Sequence, residues 1–212
     1  TTGSWTVFSK GAQLISLNVA RHDAGKHLSL PLVGDAKLGL KALSNSLGQF
    51  VADPDWIVSA RKQRSIWNET VDLNIRPKDN GPNSYAQAIG CVNQLVAKND
   101  RIVASAGGVP AEITANWKTK KVGTVDVEFG FSCMGYEIAG AWGARIAQVE
   151  KEPEASTICF VGDGSYLMLN SDIYSSVLTN KKLIVLVLDN GGFAVINKLQ
   201  NNTGNISYNN LI

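Results

Sequence analysis

The chain is poor in histidine, cysteine and long apolar runs, and each shortage closes off a class of function. Its two histidines, His22 and His27, stand apart from any cysteine or carboxylate pair at ligand spacing. That argues against a zinc centre and against a serine–histidine–aspartate machine. Three cysteines occur, at 91, 133 and 159, with no C-x-x-C pair. An odd count argues against a disulfide framework, so the reading is three reduced thiols in or near the core of a cytoplasmic protein. The longest strongly apolar run, Leu183–Leu188, is six residues, whereas a membrane-spanning helix needs about 20. Residues 1–20 lack the charged-then-apolar layout of a signal peptide. A net charge of +2 is too small to argue for nucleic acid or an anionic membrane as a partner. No G-x-G-x-x-G is present, so a dinucleotide site of that type is not expected.

What is present is an alternation of short apolar runs with helical spacings. Leu14–Val19 reads as a buried strand. Asp35 reads as the N-cap of a helix carrying Leu38, Leu40, Ala42, Leu43 and Leu47, with Gly48 as its stop. Asp55–Asn68 reads as a linker helix, and Arg76–Pro82, dense in turn formers, as a loop. Ser84 is placed to cap a helix running to Ala97, and Arg101–Ala106 reads as a strand ending at Gly107-Gly108. Met134, Ile138, Trp142, Ile146 and Val149 mark one helix face. The glycines at 135, 140 and 143 would cost that helix about 1 kcal/mol each relative to alanine, which suggests close backbone packing. Beyond Pro153 come a strand at Thr157–Val161, a helix at Leu167–Leu178 and a strand at Leu183–Leu188. This rhythm implies an α/β fold, a parallel sheet with helices on both faces, preceded by the end of a second α/β domain.

Two segments carry the chemistry. Gly162-Asp163-Gly164-Ser165 ends the Thr157–Val161 strand, and Asp189-Asn190-Gly191-Gly192 ends the next one. Carboxyl ends of strands line the crevice where open α/β sheets bind ligands. A strand end, a crossover helix and a second strand fill the interval between Asp163 and Asn190, so their side-chain oxygens can face each other. A few hard oxygen ligands suit Mg²⁺, which keeps one or two carboxylates alongside phosphate oxygens and water. Flanking glycines let backbone approach a phosphate, and the helix after Ser165 aims its N-terminus at the same place. The earlier Gly34-Asp35-Ala36 has no such partner and reads as a helix cap alone.

With the aspartate of Gly162-Asp163-Gly164 answered by Asn190, the chain resembles thiamine-diphosphate enzymes of the pyruvate-decarboxylase and acetolactate-synthase type. The resemblance implies that Asp163, Asn190 and the Gly192 carbonyl bind Mg²⁺. Asp189 stands where that family has the first of two asparagines. Phe131–Glu137 (FSCMGYE) resembles the segment beneath the cofactor. There Met134 would wedge the two rings into a bent shape, and the Ser132 and Met134 backbone would bond the pyrimidine edge. The alternative for Met134 is plain helix core. Gly107 and Gly108 resemble a loop that closes on the diphosphate, and Gly162, Gly164 and Ser165 belong to the same cradle.

Residues 126–147 and 162–200 are most similar to family members that hydrolyse a C–C bond of a cyclic dione in inositol catabolism. That likeness implies a small-molecule cyclic dione as substrate, thiamine diphosphate and Mg²⁺ as cofactors, and a homodimer or homotetramer of the full-length enzyme. It implies a layout of 1–52 as the end of a central domain, 53–82 as linker, and 83–212 as a truncated diphosphate-binding domain. On this reading the chain is a fragment, starting at Thr1 without a methionine, and inactive alone because the pyrimidine-binding half is elsewhere. No general acid or base is expected in it, and Glu137 is expected to be solvated or structural. Two other readings stay open: a carboligase or 2-oxoacid decarboxylase sharing the cradle, and a non-catalytic cofactor-binding or structural fragment.

Overall fold

A computed structural model describes residues 6–78 and 80–211. The ends of the two outer segments, at 1–5 and 212, and Asp79 of the turn-rich loop lie outside the described residues. The chain divides into two compact units, Thr1–Arg61 and Lys62–Ile212. The division falls within one long helix, inside the segment read as a linker.

In the first unit, β1 (Ile15–Asn18) and β2 (Leu30–Val33) pair in parallel, with the short helix α1 (Arg21–Ala24) between them. Helix α2 (Ala36–Leu47) follows, and Asp35 caps it: the Leu38 N–H donates to Asp35 Oδ1 at 2.9 Å. Gly48 ends it at φ +54°, as its sequence position implies. Among the described residues of this unit only Ala24 and Ser29 are buried. Helix α3 (Pro54–Asn74) is longer than the linker helix expected from sequence.

The second unit is built on four parallel strands: β3 (Arg101–Ala104), β4 (Val125–Val127), β5 (Thr157–Gly162) and β6 (Ile184–Leu188), in the order β4-β3-β5-β6. Helices α4 (Tyr85–Leu95) and α5 (Val109–Asn116) cover one face. Helices α6 (Tyr136–Val149), α7 (Asp163–Met168) and α8 (Asp172–Leu178) come later in the chain, and α9 (Ala194–Asn202) is last. The pleat sorts the core into two layers. Ile102, Ala104, Ile158 and Phe160 meet Ile89 of α4 and Ile113 of α5. Val103, Cys159 and Val161 meet Ile138 and Ala141 of α6. Each buried Val, Ile or Phe among them contributes about 1.5–3 kcal/mol, so both faces of β3 and β5 hold the sheet in place. Near-continuous apolar runs in these strands are what a sheet buried on both faces demands.

Local signals set the helix starts. At α4 the Ser84 hydroxyl accepts from the Gln87 N–H, and the Gln87 side chain accepts from the Ser84 N–H at 2.8 Å. This capping box fixes the first residue of α4, Tyr85. The helix expected over Leu167–Leu178 is in fact two helices, α7 and α8, parted at Leu169–Ser171. α7 starts at Asp163 itself rather than beyond Ser165. Strands β2 and β4 and helices α5 and α9 were not assigned from sequence. They are short or mixed in polarity, and their place depends on neighbours. Among the described residues, no helix is long and apolar enough to cross a membrane.

Candidate cofactor and metal site

The chain leaves β3 toward β4 on one side of the sheet and leaves β5 toward β6 on the other. The connections therefore diverge above the carboxyl ends of β3 and β5, which opens a crevice at this switch point. A cavity of about 430 Å³ lies there. Gly107, Gly108, Ser132, Met134, Gly162, Asp163, Gly164, Ser165, Asn190 and Gly192 all line it. Four segments far apart in sequence, following β3, preceding α6, and following β5 and β6, are brought to one place.

Asp163 is 9% exposed. Its Oδ2 accepts from the Gly192 N–H at 2.7 Å, which ties the β5 end to the β6 end. Asp189 Oδ1 accepts from the Gly191 N–H at 2.9 Å, so the aspartate at this position holds the turn. Gly192 has φ +144°, and a Cβ there would lie 2.0 Å from the Asn210 carbonyl oxygen. Only glycine fits, because the chain returns after α9 and Phe193 N–H donates to that same oxygen at 2.7 Å. Asn190 is exposed to the cavity, and its Nδ2 donates to the Tyr85 hydroxyl. That hydroxyl is 3.5 Å from the Leu188 carbonyl oxygen. Burial pushes the Tyr85 phenol above its ordinary pKa, opposed by the Asn190 bond and reinforced by the nearby Asp163 and Asp189 charges.

Met134 is not part of a helix. α6 begins at Tyr136, and Met134 precedes it at 37% exposure on the cavity wall. The helix-core alternative is thereby overturned. The break is at Gly135, with φ +93° and room for no Cβ: one would lie 2.6 Å from Leu169 Cβ. Ser132 also has positive φ, +54°, an unusual conformation for a non-glycine residue that needs outside support. Glu128 supplies it. Its carboxylate accepts from the N–H groups of Phe131 and Cys133, each at 2.8 Å. The Cys133 N–H first and the Phe131 N–H next hold Glu128 below the ordinary carboxylate pKa. Cys133 is exposed rather than in or near the core, because it rides on this loop; Cys159 is buried as expected. Burial, aided by the Glu137 charge, pushes the Cys159 thiol up to about 12.

Glu137 is 1% exposed and so is not solvated. Its carboxylate accepts from the Ala106 N–H at 2.9 Å, the Gly135 N–H at 2.9 Å and the Ser165 hydroxyl at 2.8 Å. One buried side chain thus joins the end of β3, the start of α6 and the middle of α7. Of the two roles expected from sequence, solvated or structural, the structural one holds and the solvated one does not. The available signal was an acidic residue in the first turn of a helix, where free N–H groups point. Tyr85 and Phe193, with Val195 and Leu199 of α9, also line the cavity and were not foreseen.

Among the described residues lining the cavity, Asp163 alone carries a formal charge. Among the described residues no group of three or more histidine, cysteine, aspartate or glutamate side chains could hold a metal ion. A cation here would rest on one carboxylate with amide and carbonyl oxygens. The start of α5 has no side-chain cap, and Gly107, Gly108 and Val109 line the cavity there. Its free N–H groups suit an anion.

Residues 105–211 match the family of the thiamine pyrophosphate enzyme C-terminal TPP binding domain. Among curated proteins, the 3D-(3,5/4)-trihydroxycyclohexane-1,2-dione hydrolase of Geobacillus thermodenitrificans (strain NG80-2) is 35% identical over 227 residues, covering 96% of this chain and 34% of the relative. The hydrolase of the same name from Bacillus anthracis is 34% identical over 229 residues, covering 96% and 35%. That of Bacillus thuringiensis (strain Al Hakam) is 33% identical over the same length and the same shares. The chain spans about a third of the length of these relatives.

Proposed function

Given that the chain belongs to the thiamine pyrophosphate enzymes, we propose that it supplies the diphosphate- and Mg²⁺-holding part of a hydrolase that opens trihydroxycyclohexane-1,2-dione at a C–C bond. The cavity's own charge carries the reading. A diphosphate placed beside Asp163, with no lysine or arginine among the described residues of the wall, would meet like charge. At 4 Å each pair of unit charges repels by about 4 kcal/mol for an effective dielectric constant of 20. A divalent cation between them turns that repulsion into attraction, and one carboxylate with neutral oxygens is the donor set Mg²⁺ takes. The residues therefore fit the group.

In this reading Asp163, the Asn190 amide oxygen and the Gly192 carbonyl hold the cation. The N–H groups at the start of α5 and the glycine-flanked turn after β5 receive the diphosphate. Met134 and the Ser132 backbone support the rings. When bound, thiamine diphosphate supplies an electron sink for breaking a C–C bond next to a carbonyl. Glu137 holds the three wall segments in register. Phe129, Phe193, Val195 and Leu199 exclude water from the apolar side of the cavity.

The names of the relatives support the hydrolase over other chemistries that share the cradle. The test is to give the full-length protein the cyclic dione, or pyruvate, with thiamine diphosphate and Mg²⁺. Ring opening of the dione is expected. Turnover of pyruvate with the dione untouched would move the assignment to a carboligase or decarboxylase.

A further inference from the structure

Resting on the cation site proposed above, we propose that Tyr85 is a positioning residue that sets which end of the Asn190 amide faces the cation. An asparagine amide presents oxygen on one side and NH₂ on the other, and only the oxygen can ligate a metal. Tyr85 is the first residue of α4, held there by the Ser84–Gln87 capping box. Its ring packs on the loop after β3: a Cβ on Gly108 would lie 3.5 Å from Tyr85 Cε2. The hydroxyl therefore arrives at a fixed point. The Leu188 carbonyl oxygen lies 3.5 Å from the hydroxyl, where its single proton can turn, which leaves its lone pairs for the Asn190 side chain. A lone pair calls for a donor, so Nδ2 turns to Tyr85. Oδ1 is then left free of Tyr85, and it accepts no hydrogen bond among the described residues. Tyr85 reaches the cation only through Asn190, as outer partners of metal ligands do.

The experiment titrates Mn²⁺, read by its electron paramagnetic resonance signal, into full-length protein at saturating thiamine diphosphate. Four forms are compared: wild type, Tyr85→Phe, Asn190→Asp and the double variant. Tyr85→Phe keeps the ring against Gly108 and removes only the hydroxyl. It is expected to weaken Mn²⁺ binding by about 10-fold or more, the scale of losses for outer partners of a ligand. A carboxylate at position 190 offers oxygen whichever way it turns, so Tyr85→Phe added to Asn190→Asp is expected to move affinity less than about twofold. Equal Mn²⁺ affinity of wild type and Tyr85→Phe would overturn the inference while leaving the cation site intact. An equal loss on both backgrounds would also overturn it, since Tyr85 would then act by packing. Absence of Mn²⁺ binding by the wild type would remove the cation site itself, and the inference with it.

Discussion

Replacing Asp163 by asparagine separates the charge of this side chain from its structural bond. The carboxylate does two things: it accepts from the Gly192 N–H at 2.7 Å, and it places a negative charge on the cavity wall. Asparagine keeps an oxygen for Gly192, so the β5 and β6 ends stay joined. Losing one partner of a largely desolvated charge pair costs about 3–5 kcal/mol. At about 1.4 kcal/mol per decade that is a loss of roughly two to three and a half decades in affinity for the Mg²⁺–cofactor complex. Isothermal titration of thiamine diphosphate at saturating Mg²⁺ reads it directly in the full-length protein. Thermal unfolding gives a second readout. Wild type should gain about 2.7 kcal/mol at a hundredfold excess of ligand over Kd, and Asp163→Asn should gain little at the same concentration. Asp163→Ala should in addition be less stable without ligand, since a buried N–H without an acceptor costs about 1–3 kcal/mol. Cofactor affinity of Asp163→Asn equal to wild type would show that the carboxylate binds no cation.

Two further expectations concern the loop and wall around the cavity. Glu137→Ala leaves the buried Ala106 N–H and the Ser165 hydroxyl without their acceptor, and the Gly135 N–H with the Ser165 oxygen alone, and should destabilise the protein by about 2–5 kcal/mol; thermal unfolding without cofactor measures it, and an unchanged melting temperature would count against the joint described here. Glu128 has its pKa lowered on folding, so the support it gives the Phe131–Met134 loop is present above the ordinary glutamate value of 4.5 and is lost as pH falls below it. Hydrogen exchange at the Phe131 and Cys133 amides should accelerate over that range after correction for intrinsic rates, and Glu128→Gln should show fast exchange at neutral pH too; protection independent of both would refute the role.

How much of this was legible without coordinates depends on how local each signal is. The apolar runs at Arg101–Ala106, Thr157–Val161 and Leu183–Leu188 became β3, β5 and β6. The caps at Asp35 and Ser84 and the stop at Gly48 stand where the residue types put them. All of these rest on interactions within a few residues. Met134 shows where the reasoning reaches its limit. Its spacing to Ile138 is helical, yet Gly135, left-handed and packed against Leu169 more than thirty residues on, stands ahead of a helix that starts only at Tyr136.

The string of residues by itself determined what stands at the carboxyl ends of the last two strands: an aspartate and an asparagine, set among glycines that admit close backbone approach. It did so because strand, turn and cap preferences are short-range and additive along the chain. Only the tertiary structure decided that Glu137 is buried beneath the cavity wall, that Tyr85 meets Asn190, and that the segment near Asn210 returns over Gly192. Those contacts join residues tens of positions apart. Their existence depends on strand order and on which way the chain leaves each strand, and no local preference encodes either.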